Sequence, residues 1–161
     1  MTAGHTSDSE AVRDVLHRYC RLLDDRDVHN MVEQVYAVDA VDDRHRGIAR
    51  RGHGEIREYF ERSLPMLEAT THLLMNVEVE VDGSEARSRS RVMACHWFAE
   101  NAHLGKERPS ECVLVGTYKD QFKRFDEGWR IVYREVGALG PAGLLVGAMP
   151  YAFRGFGGAQ N

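Results

Sequence analysis

A change of hydrophobic period and the turn signals that follow it predict an α+β fold. In three segments before residue 66, about 8–27, 28–35 and 54–65, the apolar side chains recur at helical spacing. From Thr70 they alternate every second residue, in long runs joined by the turn signals Asp82-Gly83 and Asp126-Glu127-Gly128. Helices first and an antiparallel meander afterwards mean one sheet curved around early helices, not alternating βαβ units.

The elements follow in order. Ser7 and Glu10 form a capping box, and Val12, Val15, Leu16, Tyr19, Leu22 and Leu23 make one helical stripe. That helix is expected to end near Asp24–Asp27, and a shorter one to cover Val28–Val35. Asp39–Asp43 and Gly47–Arg51 read as short strands around a polar turn. Gly54-Glu55 opens a third helix, with Ile56, Tyr59, Phe60 and Leu64 on one face and Pro65 near its end. In the strand from Thr70, strict alternation puts Leu73, Met75, Val77, Val79 and Val81 on one face. His72, Leu74, Asn76, Glu78 and Glu80 fall on the other. Ala86–Ala99 is the return strand, and pairing across the turn sets His72 opposite Ala94–His96. Cys112–Phe125 and Trp129–Val136 complete the meander. Gly137–Asn161 is apolar and glycine-rich, and is expected to fold over a pocket mouth or onto a neighbouring subunit.

The chain of 161 residues suits a single domain, and no internal repeat or linker divides it. Its 43% hydrophobic and 29% charged content is ordinary for a globular protein. A net charge of −4 gives nucleic acid binding no electrostatic support. No apolar run is long enough to span a bilayer, and the first residues lack an apolar signal core, so the expected location is the cytoplasm. Cys20, Cys95 and Cys112 form no C-x-x-C pair and read as buried small hydrophobes. The eight histidines include no H-E-x-x-H spacing, and there is no P-loop, G-x-S-x-G or dinucleotide fingerprint. No metal and no cofactor are therefore expected.

What remains is acid–base chemistry. Asp24 lies on the border of the apolar stripe of the first helix, beside Cys20 and Leu16, whereas Asp25 points away. A carboxylate that orients an imidazole makes a general base, and His72 is the candidate partner. His96 shares a face with Val92, Ala94 and Phe98, as a satisfied core group or a site residue. Tyr19 sits on the apolar face of the helix, and core packing is its plain reading. Arg130 and Arg134 are expected on one face with Val132. Arg134 is placed either in a surface salt bridge or on an anionic or carbonyl oxygen. The Arg87, Arg89, Arg91 row is a solvated face or a subunit contact.

Several ordered pieces carry a resemblance: YCRLLDDRD, VYAVDAVDD, RRGHGEIREYF, THLLMNVEVEVDG and VGTYKDQFKRFDEGWRIVYREV. Together they resemble the SnoaL-like branch of the nuclear transport factor 2-like superfamily over roughly Ser9–Val136. The resemblance implies a cone-shaped α+β barrel whose concave side holds a pocket closed by helices. Scytalone dehydratase, hexachlorocyclohexane dehydrochlorinase and bile-acid 7α-dehydratase, all cofactor-free eliminations, belong to that branch. By resemblance Asp24 and His72 match the catalytic aspartate and histidine, Tyr19 a catalytic tyrosine, and His96 a second pocket histidine. Leu16, Tyr36, Phe60, Asn76, Val92, Phe98 and Arg134 are expected to contact substrate. The implied activity is a lyase, or a related isomerase or cyclase, acting on a hydrophobic polycyclic or aromatic small molecule, in a homo-oligomer (dimer or trimer). Ring-hydroxylating dioxygenase small subunits share LLDDRD and the His72…Asn76-Val77 strand, and imply a non-catalytic structural role instead; a small-molecule binding protein is a further reading.

Overall fold

The computed structural model describes residues 7–44, 48–138 and 144–147. Helix α1 covers Asp8–Asp24, with Ser7 and Glu10 capping each other as the sequence predicts. Helix α2 covers Val28–Val35 and runs directly into strand β1, Tyr36–Asp43. β1 starts earlier than alternation suggests because Tyr36 is already paired with Ile131. A short β2, Ala49–Arg51, precedes α3, Gly52–Ser63. The meander then consists of β3 (Leu67–Asp82), β4 (Glu85–Phe98), β5 (Cys112–Phe125) and β6 (Gly128–Ala138).

The sheet order is β2-β1-β6-β5-β4-β3, antiparallel except for the parallel β1–β6 pair. The sheet curves around the helices without closing, so the cone is an open one with β2 and β3 at its edges. A further strand, β7 (Leu144–Gly147), pairs with Cys112–Leu114 of β5. The expectation of a lid in the tail otherwise falls on 139–143 and 148–161, outside the described residues.

Strand β3 is a long free edge, which is a liability unless its backbone is satisfied. Side chains from α1 and the bend after it do this. Arg13 donates to the Val77 carbonyl at 2.7 Å, Arg26 donates to the Leu67 carbonyl, and Asp24 accepts the His72 backbone N–H at 2.9 Å. The helix is thereby held along the edge that carries His72.

Two β-bulges overturn the simple alternation read from the sequence. In β3 the register shifts between Met75 and Glu78, with Asn76 at φ 50°. His72 and Leu74 face inward before the bulge and Val77 and Val79 after it. Leu73 and Met75 are left on the outer face. In β6, Gln121 pairs with Tyr133 but Phe122 with Ile131, so Val132 is the extra residue. The expected common face of Arg130, Val132 and Arg134 is thus broken: Arg134 is fully buried inside with Ile131 and Trp129, whereas Arg130 stays part-exposed. A bulge shifts every following side chain by one position, and a strict period of two carries no sign of it.

Gly116 of β5 lies where only a residue without Cβ fits. A Cβ there would come within 2.6 Å of the Gly137 carbonyl oxygen. We expect Gly116→Ala to destabilise the protein by about 1–3 kcal/mol in urea unfolding, through strain in the β5–β6 ladder.

Candidate active site

The inner positions of the sheet and the C-terminal half of α1 face one another. Asp24 ends α1 and is part-exposed, while its neighbour Asp25 is exposed and points to Arg21. The Asp24 carboxylate makes two bonds to one residue. Oδ2 accepts the backbone N–H of His72 at 2.9 Å, and Oδ1 lies 2.6 Å from its ring Nδ1. The His72 side chain is only 8% exposed. An ionised carboxylate can only accept, so the bond requires Nδ1 to carry its proton. The other ring nitrogen, Nε2, is then an acceptor.

One row along, Thr70 stands across the strand pair from His96, as His72 does from Ala94. Thr70 Oγ1 and His96 Nδ1 lie 2.9 Å apart, both residues buried. The two imidazoles meet edge to face with centroids 6.0 Å apart. The bulge at Asn76 turns Glu78 and Glu80 to the face opposite His72.

A second, ionic layer lies on the same interior; burial pushes the thiol of Cys20 up to about 11, with Arg134 lowering it and Asp24 raising it. Arg134 Nε and Nη2 donate to Asp120 at 2.6 and 3.0 Å, and both residues are buried. Ser88 adds a longer bond of 3.4 Å to Asp120. The guanidinium carbon of Arg134 sits 4.0 Å from the ring centroid of Tyr19 and 4.4 Å from that of Tyr118. Arg44 donates to the Tyr19 hydroxyl at 2.7 Å and to Asp42 at 3.0 Å, and Asp42 also accepts the Tyr36 hydroxyl at 2.6 Å. Two guanidinium groups therefore converge on one buried tyrosine, and each cation is neutralised by its own aspartate. Among the described residues, Arg134 Nη1 and Ser90 Oγ are buried without a hydrogen-bond partner.

A family profile for the SnoaL-like domain matches residues 4–135. The chain belongs to the SnoaL-like domain family. No curated protein matches it. Solved structures with the same fold include a protein from Kribbella flavida, with TM-score 0.71 at 20% identity over 81% of this chain and 89% of the other. A proposed scytalone dehydratase from Novosphingobium aromaticivorans matches with TM-score 0.67 at 24% identity, over 78% of this chain and 80% of the other. The type 2 hexachlorocyclohexane dehydrochlorinase LinA matches with TM-score 0.68 at 17% identity, over 88% of this chain and 92% of the other. At such identities the likeness establishes the shared fold and nothing finer.

Within this SnoaL-like chain the remaining sequence candidates fall as follows. Leu16, Tyr36, Phe60, Val92 and Phe98 are all buried in the interior. Asn76 is exposed at the bulge rather than among them. Arg134 lies not in a surface salt bridge but in a buried one. Sequence reading passed over Thr70, Arg44, Asp42, Tyr118 and Asp120. A signal for Asp120 exists: it is the single charge on the inner alternation Cys112, Leu114, Gly116, Tyr118, Asp120, Phe122. Arg44 follows the end of β1 and gives no such signal. No group of His, Cys, Asp and Glu among the described residues has the arrangement of a metal site. No described helix is long and apolar enough to cross a membrane.

Burial sets the protonation of several groups. It pushes His96 down to about 4, with the neighbouring His72 ring a second cause and Asp24 opposing. His96 is thus neutral at pH 7. Burial also raises the Tyr19 hydroxyl, more than Arg44 and Arg134 lower it. Tyr19 keeps its proton and is a donor, not a base. The His96 shift has a consequence for stability. The unfolded histidine binds its proton near pH 6.5 and the folded one only near 4. The unfolded state therefore holds more protons in between, and stability falls as pH drops through that window. The full effect is about 3 kcal/mol. We expect chemical denaturation at pH 4 and pH 7 to show this loss in the wild-type protein, and His96→Gln to lack most of it.

Proposed function

We propose that this SnoaL-like protein is a cofactor-independent lyase, or a closely related isomerase or cyclase, acting on a hydrophobic polycyclic or aromatic small molecule. The observation that carries the reading is the Asp24–His72 contact. One carboxylate grips both the backbone and the ring of the histidine, so the imidazole is fixed in position and in tautomer. The likeness to proteins named as scytalone dehydratase and LinA supports it.

The chemistry follows from the donors and acceptors present. His72 Nε2 removes a proton from a carbon next to a carbonyl or next to the carbon that bears the leaving group. Asp24 stabilises the imidazolium as it forms. In an elimination, the electrons of the broken C–H bond form the new double bond, and the leaving group departs with its own pair. In an isomerisation or cyclisation they pass to an enolate oxygen instead. Neutral His96, ring to ring with His72, supplies a hydrogen bond to the departing or enolate oxygen. Tyr19 is the proton source, since Arg44 donates to its oxygen and its own hydrogen meets no acceptor among the described residues. The buried cations Arg44 and Arg134 favour the negative charge that develops there. Positioned groups of this kind each contribute about 10²–10⁴-fold.

The test is turnover of carbocyclic substrates bearing a hydroxyl or halide leaving group, with and without deuterium on the carbon that loses its proton. A primary isotope effect, and activity that survives exhaustive chelation, are expected. Activity lost to chelator and restored by a divalent ion would overturn the proposal.

A further inference from the structure

Thr70 is a buried hydroxyl beside the candidate acid–base pair, 5% exposed, and its neighbour His96 is 6% exposed. The two stand opposite each other across β3 and β4, with Oγ1 and Nδ1 2.9 Å apart. Two positions further along β3, His72 has its own Nδ1 held by Asp24. Both imidazoles are therefore anchored through Nδ1, and in both Nε2 lies on the side of the ring away from the anchor. The anchors differ in kind. A carboxylate only accepts a hydrogen bond, whereas a hydroxyl donates as well.

The direction of the Thr70 bond follows from its partners. Among the described residues, His96 Nδ1 is the one hydrogen-bond partner of the Thr70 hydroxyl. Were Nδ1 to donate, the hydroxyl hydrogen would be buried with nothing to receive it, which is costly. Donation by Thr70 satisfies both atoms. Burial pushes the His96 ring down to about 4, with the adjacent His72 a second cause, so at neutral pH the ring carries one hydrogen. With Nδ1 accepting, that hydrogen is on Nε2.

We propose that Thr70 is a positioning residue that holds His96 in the tautomer opposite to that of His72, so that one ring presents a bare Nε2 and its neighbour an Nε2–H. A carboxylate in place of the hydroxyl would force the hydrogen onto Nδ1 and make a second base. The neutral hydroxyl makes a donor instead. Base and donor stand side by side, with ring centroids 6.0 Å apart. This inference rests on the acid–base reading of Asp24 and His72, and it narrows the substrate class. An N–H aimed at the departing group matters most when that group is oxygen, because hydroxide leaves poorly without a hydrogen bond or a proton. Chloride departs as a stable anion and needs little help. The substrate is accordingly a carbocycle with a hydroxyl on the carbon next to the one that loses its proton. His72 Nε2 takes that proton, and the C–H electrons form the double bond. The oxygen departs with its own pair and, with the proton of Tyr19, as water. The proton on His72 then returns to Tyr19 through solvent.

The experiment starts with nitrogen NMR of the full-length wild-type protein at neutral pH, assigned with His72→Gln and His96→Gln. Hydrogen is expected on Nδ1 of His72 and on Nε2 of His96. Thr70→Val keeps the shape of the side chain without the hydroxyl, and Thr70→Ser keeps the hydroxyl. The valine variant should shift the Nδ1 resonance of His96 to that of an unbonded nitrogen, and the serine variant should not. The kinetic probes are a β-hydroxy ketone and the β-chloro ketone of one fused-ring skeleton. Thr70→Val should lower kcat for loss of water by about 10–100-fold with KM nearly unchanged, and slow loss of chloride by less than about 3-fold. Thr70→Ser should stay close to wild type on both. In a His96→Ala background, Thr70→Val should add little, because Thr70 acts through that ring. Hydrogen on Nδ1 of His96 in the wild type, equal slowing with both ketones, or full additivity with His96→Ala would each overturn the proposal. The wild-type spectrum needs neither a substrate nor a change at Thr70, so it decides the tautomers even if Thr70→Val does not fold. A protein that shows both tautomers and turns over neither ketone would count against the proposed activity, not against the role of Thr70.

Discussion

Asp24→Asn should lower kcat by on the order of 10²–10⁴-fold on any substrate the protein turns over, and His72→Ala should do the same. The asparagine keeps the size of the side chain and loses one acceptor. If its oxygen still accepts the His72 backbone N–H, its NH₂ group faces the ring Nδ1. The imidazole must then carry its proton on Nε2, and the lone pair that removes the substrate proton is gone. Two readouts separate this from simple damage. Nitrogen NMR should show the tautomer exchange in Asp24→Asn while the folded spectrum persists. The Asp24→Asn/His72→Ala double variant should be little slower than His72→Ala alone, since the two residues act as one unit. Turnover near wild type in His72→Ala would remove the mechanism.

The largest effect on stability is expected at Arg134. Arg134→Met leaves Asp120 buried, with only the long bond from Ser88. Breaking a buried pair from one side costs about 3–5 kcal/mol. For a chain of this length that corresponds to a fall in Tm of roughly 6–20 °C. The loss should grow with pH. Burial already holds the Asp120 carboxyl above its ordinary value even with Arg134 beside it. Without the arginine the folded state keeps a proton that the unfolded state releases, so stability falls as pH rises. Replacing both partners, Arg134→Met with Asp120→Leu, should recover much of the stability and none of the activity. Calorimetry at pH 5 and pH 8 checks both statements. A single variant as stable as the wild type at pH 8 would show that the pair is not desolvated as its burial indicates.

The cost of that ionic layer makes its presence informative. An apolar core at Asp42, Asp120, Arg44 and Arg134 would be at least as stable. Two arginines held against one buried tyrosine are the arrangement the proposed chemistry asks for, since they favour negative charge that develops beside it.

Much of the fold was legible because it rests on local physics. The capping box at Ser7, the stripe on α1, the turn at Asp82-Gly83 and the alternation of β4 and β5 need only neighbours in the chain. The choice of Asp24 over Asp25 was legible for the same reason: helical geometry alone sets which of two adjacent side chains faces the interior. So was the approach of His72 and His96, since a tight hairpin turn fixes which residues stand opposite.

The bulges were not legible, and they decide the site. Without the one at Asn76, His72 would share a face with Glu78 and Glu80. Without the one at Val132, Arg134 would not lie on the inner face with Ile131 and Trp129. Each is set by how neighbouring strands pair around a curved sheet, a long-range condition with no local residue pattern. The pairing of Arg134 with Asp120 and of Arg44 with Tyr19 and Asp42 likewise joins residues that only the closed tertiary structure brings together. The sequence by itself determined the helices, the meander and the inward position of Asp24. Tertiary packing alone decided which face the side chains of the bulged strands took, and so assembled the ionic floor.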